Sequence, residues 1–261
     1  MQYIVYKTSK PVNSRQLYNS FVKLFKDSGY SQENILKELR YYAEIFGAFV
    51  YGSDKYSDRI NKLLYRLRVL NQTTCYPFLL HVFDDYHQGV ITEETVEKIL
   101  QFILAYLLRR MVCGVPSNTL RGLFTYLYNR IFKVASNKQK YYEMLNKFLF
   151  TVSSKDVIPS AAEFERALQK ANIYGNNALC RFLLLDIENG DGKEILQAEN
   201  LTIEHIMPQT LSADWSHIRP EEHEEYLHTL GNLSVTGYNS ELSNKSFSEK
   251  QDIIRENSKA V

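Results

Sequence analysis

The sequence is short of cysteine, of long apolar runs and of net charge, and each shortage removes a class of protein. Its three cysteines, Cys75, Cys113 and Cys180, lie far apart in a chain of 261 residues and form no Cys-x-x-Cys pair. That pattern supplies neither a disulfide framework nor a zinc ribbon, and it fits a reducing, cytoplasmic setting. Thiols spaced in this way ordinarily serve as small buried hydrophobes. No apolar run reaches the roughly 20 residues of a membrane-spanning helix, and the start, Met-Gln-Tyr-Ile-Val-Tyr-Lys, lacks the form of a signal peptide. A formal charge of +1 provides no global field, so an anionic partner has to be met by a local patch. No repeat of fixed period is visible, which gives no support to a solenoid.

What is present is aromatic and helical. The 19 tyrosines and 14 phenylalanines predict an aromatic core that reaches the surface in places. The amino-terminal part of the chain is one amphipathic stretch after another. Over 13–27, Leu17, Phe21, Leu24 and Phe25 share a stripe, with Asn13 or Ser14 as cap. Ser31 caps a second helix carrying Ile35, Leu36, Leu39, Tyr42 and Phe46, and Gly47 is its predicted stop. Ser53 is predicted to open a third, with Ile60, Leu63, Leu64 and Leu67 buried. Pro77 suits the first turn of a fourth that Gly89 ends. Thr92 starts the longest, Val96 to Val112, which Gly114 and Pro116 terminate, and further helices are predicted over 118–132 and 137–150. A polar break from Val152 to Pro159 precedes Ser160-Ala161-Ala162-Glu163, a capping box. Asn189-Gly190-Asp191-Gly192 is the sharpest turn signal in the chain.

The carboxyl-terminal segment changes character. Leu201-Thr202-Ile203 and Leu233-Ser234-Val235-Thr236 are strand candidates, and Ser246-Phe247-Ser248-Glu249 is a capping box opening a helix that buries Ile253 and Ile254. The order is strand, long connection, strand, helix. In the connection, His217, His223 and His228 read as surface histidines and Trp215 as an anchor. The chemistry-bearing run is Ile203-Glu204-His205-Ile206-Met207-Pro208-Gln209. A metal-assisted phosphodiesterase needs a base for water, a hard cation and oxygen ligands to hold it. His205 suits the first task, because neutral imidazole is available near neutral pH. Glu204 and Asn239 are oxygen donors suited to Mg²⁺. Glu204 and His205 are neighbours and would face opposite ways on a regular strand, but at a strand end both can converge on one site. Asn232 can orient the loop that carries His205. Lys245 and Lys250 can contact DNA phosphate, with solvated lysines the equal alternative. Lys55, Arg59, Lys62 and Arg66 share a helical face that reads as solvated rather than as a DNA strip. Arg109 and Arg110 stay open between an internal pair and a phosphate contact.

Glu-His-Ile-Met-Pro-Gln, Gly-Asn-Leu-Ser-Val and Asn-Ser-Glu-Leu-Ser-Asn-Lys together resemble the HNH (His-Me finger, ββα-metal) endonucleases, and most of all the HNH domain at the carboxyl end of GmrSD-type modification-dependent restriction proteins. The helical stretch, with Tyr76-Pro77-Phe78-Leu79-Leu80 and Tyr106-Leu107-Leu108-Arg109-Arg110, is similar to the middle region of those proteins. An Asp-Gly-Gln-Arg type signature of their ParB-like nucleotide-hydrolysing domain is not found in the sequence. The resemblance implies that His205 is the general base, Glu204 the metal-binding acid, Asn232 the middle Asn of the motif and Asn239 its last, metal-ligating residue. A short gap between Asn232 and Asn239 leaves Asn244 as a rival for that last role. The zinc-binding cysteines that brace some HNH domains are absent, so bracing falls to the helical part.

The resulting expectation is a mostly α protein: a helical bundle over 1–195, dividing near 152–159, followed by a small ββα-metal (HNH) nuclease module over 196–261. The expected activity is hydrolysis of DNA, modified or not, in a restriction or anti-phage system. A single Mg²⁺ or Mn²⁺ is the expected cofactor, and a ParB-like NTPase domain in cis or trans the expected partner. The alternative is a silent scaffold that depends on that partner. With few apolar residues of its own, the module is expected to pack on the helix pair 160–190 through Leu179, Phe182, Leu183 and Ile187.

Overall fold

The computed structural model describes residues 1–152, 155–190, 201–237 and 239–257, the side chains of Asn239 and Asn257 excepted. The chain forms two compact units, Met1–Arg110 with Val115–Ile158, and Met111–Gly114 with Pro159–Val261. It is mostly helical, with one small two-stranded sheet among the described residues. No described helix is long and apolar enough to cross a membrane.

The regular structure of the first unit is helical: α1 (Gln2–Thr8), α2 (Leu17–Ser28), α3 (Gln32–Tyr51), α4 (Asp58–Val69), α5 (Tyr76–His87), α6 (Glu93–Val112, which runs on past Arg110), α7 (Leu120–Phe132) and α8 (Tyr141–Thr151). Its centre is α5, where Phe78, Leu79, Leu80, Val82 and Phe83 are each at most 1% exposed. A helix apolar on every side has to be covered on every side, and α1, α3 and α7 all pack against it. Pro77 stands in its first turn, where a missing N–H is harmless.

Four details depart from the sequence reading. Gly47 lies inside α3, which runs on to Gly52 at φ 85°. Burial of Ala48 and Phe49 in the added turn outweighs the roughly 1 kcal/mol that an internal glycine costs. Ser57, not Ser53, caps α4, its hydroxyl accepting from the amide of Ile60 at 3.4 Å. Ser53 is instead held in the preceding loop by the Asn61 amide, which accepts from its N–H at 3.1 Å and donates to its carbonyl at 2.7 Å. α1 was not anticipated, and Ile4 and Val5 from it form a small core with Val12. Arg110, open in sequence between an internal pair and a phosphate contact, pairs with no carboxylate among the described residues. Fully buried, it donates to the carbonyls of Lys155 at 2.8 Å and Pro116 at 3.0 Å.

The second unit contains α9 (Ala161–Lys170), α10 (Asn177–Asn189), β1 (Thr202–His205), α11 (Pro220–Tyr226), β2 (Leu233–Thr236), α12 (Asn239–Leu242) and α13 (Phe247–Asn257). The two strands are antiparallel, pairing Thr202 with Thr236, Ile203 with Val235, Glu204 with Ser234 and His205 with Leu233. The capping box of α9 is present, Ser160 accepting from Glu163 and Glu163 reaching back to the cap amide. α10 packs on β2. Leu179, Phe182 and Leu183 are buried there, but Ile187 is 62% exposed, because it lies beyond Leu185, where the buried stretch of α10 ends. Gly190 ends α10 with right-handed backbone, whereas Asp191 and Gly192 of the predicted turn lie outside the described residues, as does residue 196. The long connection between the strands is not all loop: Pro220 starts α11, and the Glu222 carboxylate accepts from the Arg219 amide at 3.3 Å.

Candidate active site

The last two residues of β1 are both only 5% exposed, although one carries a carboxyl and the other an imidazole. Successive strand residues project to opposite faces, and here each side chain finds its own set of partners. Glu204 meets α13: its Oε1 accepts from Lys250 Nζ at 2.6 Å. Lys250 is 1% exposed and also donates to the carbonyl of His205 at 2.7 Å, so one ammonium ties the end of β1 to the final helix. Local sequence puts Lys250 there. The Ser246–Glu249 capping box starts α13, Glu249 Oε2 accepting from the Ser246 amide at 3.0 Å, and the Lys250 amide closes the first turn on Ser246.

His205 faces a different group. Its Nε2 lies 3.1 Å from Nδ1 of His228. The Tyr174 ring packs edge-on against His205 at 4.5 Å and stacks on His228 at 5.1 Å with an interplanar angle of 11°. The carbonyl of His228 accepts from the amides of Ile173, at 2.9 Å, and Tyr174, at 3.3 Å. On the other edge of the His205 ring, Nδ1 lies 3.5 Å from Nε2 of Gln209, an exposed residue. Burial pushes the His205 imidazole down to about 4, and the Lys250 ammonium nearby acts in the same direction. At neutral pH the ring is therefore uncharged, with one nitrogen bearing hydrogen and one bearing a lone pair.

The loop after His205 is held by Asn232, itself buried. Asn232 Oδ1 accepts from the amide of Met207 at 2.6 Å, and its Nδ2 donates to the carbonyls of Met207 at 3.0 Å and Leu227 at 2.9 Å. The Asn232 carbonyl also accepts from the Ile206 amide at 2.9 Å. An amide side chain bonded in this way orders the Ile206–Pro208 turn as a piece of strand would. Trp215, 6% exposed, anchors the connection by donating from Nε1 to the Lys245 carbonyl at 3.0 Å.

Several sequence expectations change. Lys250 is enclosed and ion-paired, so it cannot reach a DNA phosphate, whereas Lys245 is exposed. The side chains of Glu204 and His205 have separate partners at the strand end, and only the His205 carbonyl joins Glu204 on Lys250. His228 and His223 are not free surface histidines: one bonds His205 and the other lies 2.9 Å from the Pro208 carbonyl through Nε2. His217 alone stays outside, stacked on Trp215. Sequence reading missed His228 and Tyr174 as neighbours of the motif. The one signal was composition, three histidines within a connection leading back to Asn232.

The candidate ligands for a hard divalent cation are of the right chemical kind, carboxylate and amide oxygens. Glu204 has one oxygen committed to Lys250, so a cation would be held through Oε2 beside an ammonium. Asn239 opens α12, but its side chain lies outside the described residues, and Asn244 is an exposed turn residue. Among the described residues no group of three or more His, Cys, Asp or Glu side chains is gathered to bind a metal. Residues 158–260 match the family described as GmrSD restriction endonucleases, C-terminal domain. No curated protein and no solved structure matches the chain.

Proposed function

We propose, from the match of residues 158–260 to the C-terminal domain of GmrSD restriction endonucleases, that the protein hydrolyses phosphodiester bonds of DNA, with His205 as general base. The observation that carries this reading is the uncharged imidazole at the end of β1, braced on one edge by a second imidazole and facing the exposed Gln209 on the other. A base must be unprotonated at working pH and held in place, and His205 meets both conditions. β1, β2 and α12 are then an HNH-type ββα-metal module, with α10 of the same unit packed on β2 where other such domains use zinc. The domain division we favour is a helical part over 1–195, itself divided near 152–159, and the nuclease module from 196 to the end.

A single Mg²⁺ or Mn²⁺ would be held by Glu204 Oε2 and by Asn239 or Asn244. When bound, such a cation stabilises the charge that develops on the scissile phosphate. The chain's own contributions are separate from it. His205 takes the proton of the attacking water, Asn232 keeps the Ile206–Pro208 turn in register with the strand, and the exposed Lys245 gives phosphate a cation nearby. Lys250 neutralises Glu204 and fixes the His205 carbonyl rather than touching DNA.

One observation favours a second reading. His205 is only 5% exposed, which suits a module held silent until a ParB-like NTPase domain, in cis or in trans, engages it. A plasmid-nicking assay with Mg²⁺ or Mn²⁺ separates the two. Cleavage by the wild-type chain that falls about 10²–10⁴-fold in His205→Ala supports the base assignment. Undiminished nicking by the variant refutes it, and a wild-type chain inert with either metal favours the silent module.

A further inference from the structure

We propose that a pocket between α3 and α5 binds a primary alkylammonium group, with Asp84 as its counter-ion and tyrosine rings as its walls. This site lies in the first unit, and nothing about it depends on the nuclease reading of the second.

Asp84 and Asp85 follow one another on α5 and are met by phenols in the same way, but only one of them has a cation. Asp85 Oδ2 accepts from Tyr128 at 2.8 Å and Tyr141 at 3.2 Å, and its Oδ1 accepts from Lys138 Nζ at 2.7 Å. That ammonium also lies 5.3 Å from the centre of the Tyr128 ring. Asp84 Oδ2 accepts from Tyr6 at 2.8 Å and Tyr42 at 3.2 Å, and its Oδ1 accepts from Tyr41 at 3.0 Å. Phenols satisfy the hydrogen bonding of a carboxylate but bring no positive charge. Among the described residues no lysine or arginine pairs with Asp84. What Asp84 lacks is therefore a counter-charge, which Lys138 supplies to its neighbour.

That charge can come from outside. Asp84 is half-buried and lines a pocket of about 700 Å³ with Tyr30, Tyr41, Tyr42, Glu38 and Lys37. Tyr41 stands edge-on to Tyr42, ring centres 4.8 Å apart, and Tyr30 is exposed. Ring faces attract a cation and pack against its alkyl chain. The charged groups of the lining other than Asp84 are already engaged, Lys37 with Glu33 at 2.7 Å and Glu38 with Lys7 at 2.5 Å. An anion would meet the Asp84 carboxylate, and a neutral ligand would leave its charge unmet. A hard divalent ion needs several oxygen ligands, and the phenols here stay protonated, because burial holds Tyr41 and Tyr42 above the usual phenol range. An ammonium also has room to bond. Tyr41 has a second acceptor in reach, His87 Nδ1 at 3.2 Å, so its hydroxyl can turn to the lone pair of that nitrogen as the ligand takes Oδ1. The bound state then repeats the Lys138–Asp85 arrangement one residue back along α5.

The test titrates the full ¹⁵N-labelled chain with butylammonium chloride, and in parallel with 1-butanol, at constant ionic strength and neutral pH. Butylammonium should give saturable shifts of amide signals in α3 and α5, with an affinity about 10-fold or more above that of the alcohol. Asp84→Asn should remove that preference. Tyr30→Ala, at an exposed position whose loss leaves the fold intact, should weaken butylammonium a few-fold, so a poorly folded Asp84→Asn does not end the test. A lysine blocked at both ends separates two sources of the same group. If it binds as butylammonium does, the site takes a lysine side chain of a partner protein; if only butylammonium binds, it takes a free amine, and either result supports the site. Equal affinity of the wild type for amine and alcohol, shifts that do not saturate, or a preference for the amine that survives Asp84→Asn overturns the proposal.

Discussion

His81 on α5 and His205 at the end of β1 are both packed against tyrosine, and burial lowers both, His81 to about 3 and His205 to about 4. His81 lies between the rings of Tyr6, at 4.1 Å, and Tyr128, at 3.9 Å and nearly parallel. The carboxylates beside it are saturated. Asp84 accepts from Tyr6 at 2.8 Å, Tyr41 at 3.0 Å and Tyr42 at 3.2 Å, and Asp85 from Tyr128 at 2.8 Å, Tyr141 at 3.2 Å and Lys138 at 2.7 Å. His205 has a tyrosine on one side only, a second imidazole as partner, and a nitrogen turned toward an exposed residue. A neutral buried histidine is therefore no mark of catalysis in itself. What separates the two is the surroundings: His205 has an imidazole on one edge and the exposed Gln209 on the other. The first cluster reads as a polar core in which phenols satisfy carboxylates, the second as a site.

The comparison breaks most readily at the ion pairs. Lys250→Ala leaves the Glu204 carboxylate buried without its cation, and should destabilise the second unit by about 3–5 kcal/mol in urea unfolding. Lys138→Ala should cost about 1–2 kcal/mol, since Lys138 is 26% exposed and Asp85 keeps two phenol donors. Equal losses would show that the pair at the site is no more enclosed than the one in the bundle.

Acid should act on both histidines with the same sign. An unfolded histidine titrates near about 6.5, above either folded value, so protons bind the unfolded chain first. The stability these rings contribute is full above about pH 6.5 and is lost as pH falls, through about 4 for His205 and about 3 for His81. For His205 the effect is on the order of 2–3 kcal/mol. Urea midpoints at neutral pH and near pH 4.5 check it: His205→Phe should flatten the slope for the second unit and leave the first unchanged. A slope indifferent to that change would refute the assigned burial of His205.

Helix caps should show smaller and more even effects. Ser57→Ala in the first unit and Ser246→Ala in the second should each cost about 1 kcal/mol. Only the second should also reduce nicking, because Ser246 starts the turn that presents Lys250 to Glu204. Smallest of all, Ile187→Ser should stay within about 0.5 kcal/mol of wild type, since its side chain is exposed. A larger loss there would mean that this face of α10 is covered in solution.

Much of the local structure was legible in the residues. Asn13 and Ser31 accept from the amides they were expected to cap, Pro77 sits in its helix's first turn, and both capping boxes, at Ser160 and Ser246, are formed. β2 spans the four residues that alternate, and β1 begins within the predicted stretch and runs through Glu204 and His205. These succeed because each is decided within about one turn or one hairpin strand, by groups a few residues apart. Gly47 and Ser53 failed for the opposite reason: a glycine's propensity is small against burial of the next turn, and a serine becomes a cap only where the helix happens to begin.

The site divides along the same line. The sequence alone determined that Glu204 and His205 end a strand, that Asn232 precedes the strand it pairs with, and that Ser246 and Glu249 open the last helix. Tertiary structure alone decided that the His205 ring meets His228, 23 positions away, and that the Glu204 carboxylate meets Lys250, 46 positions away. Caps and strand patterns are settled by backbone geometry and short-range hydrogen bonds. The partner of a buried polar side chain is settled by desolvation, which acts only once the elements carrying both groups have packed and water has left.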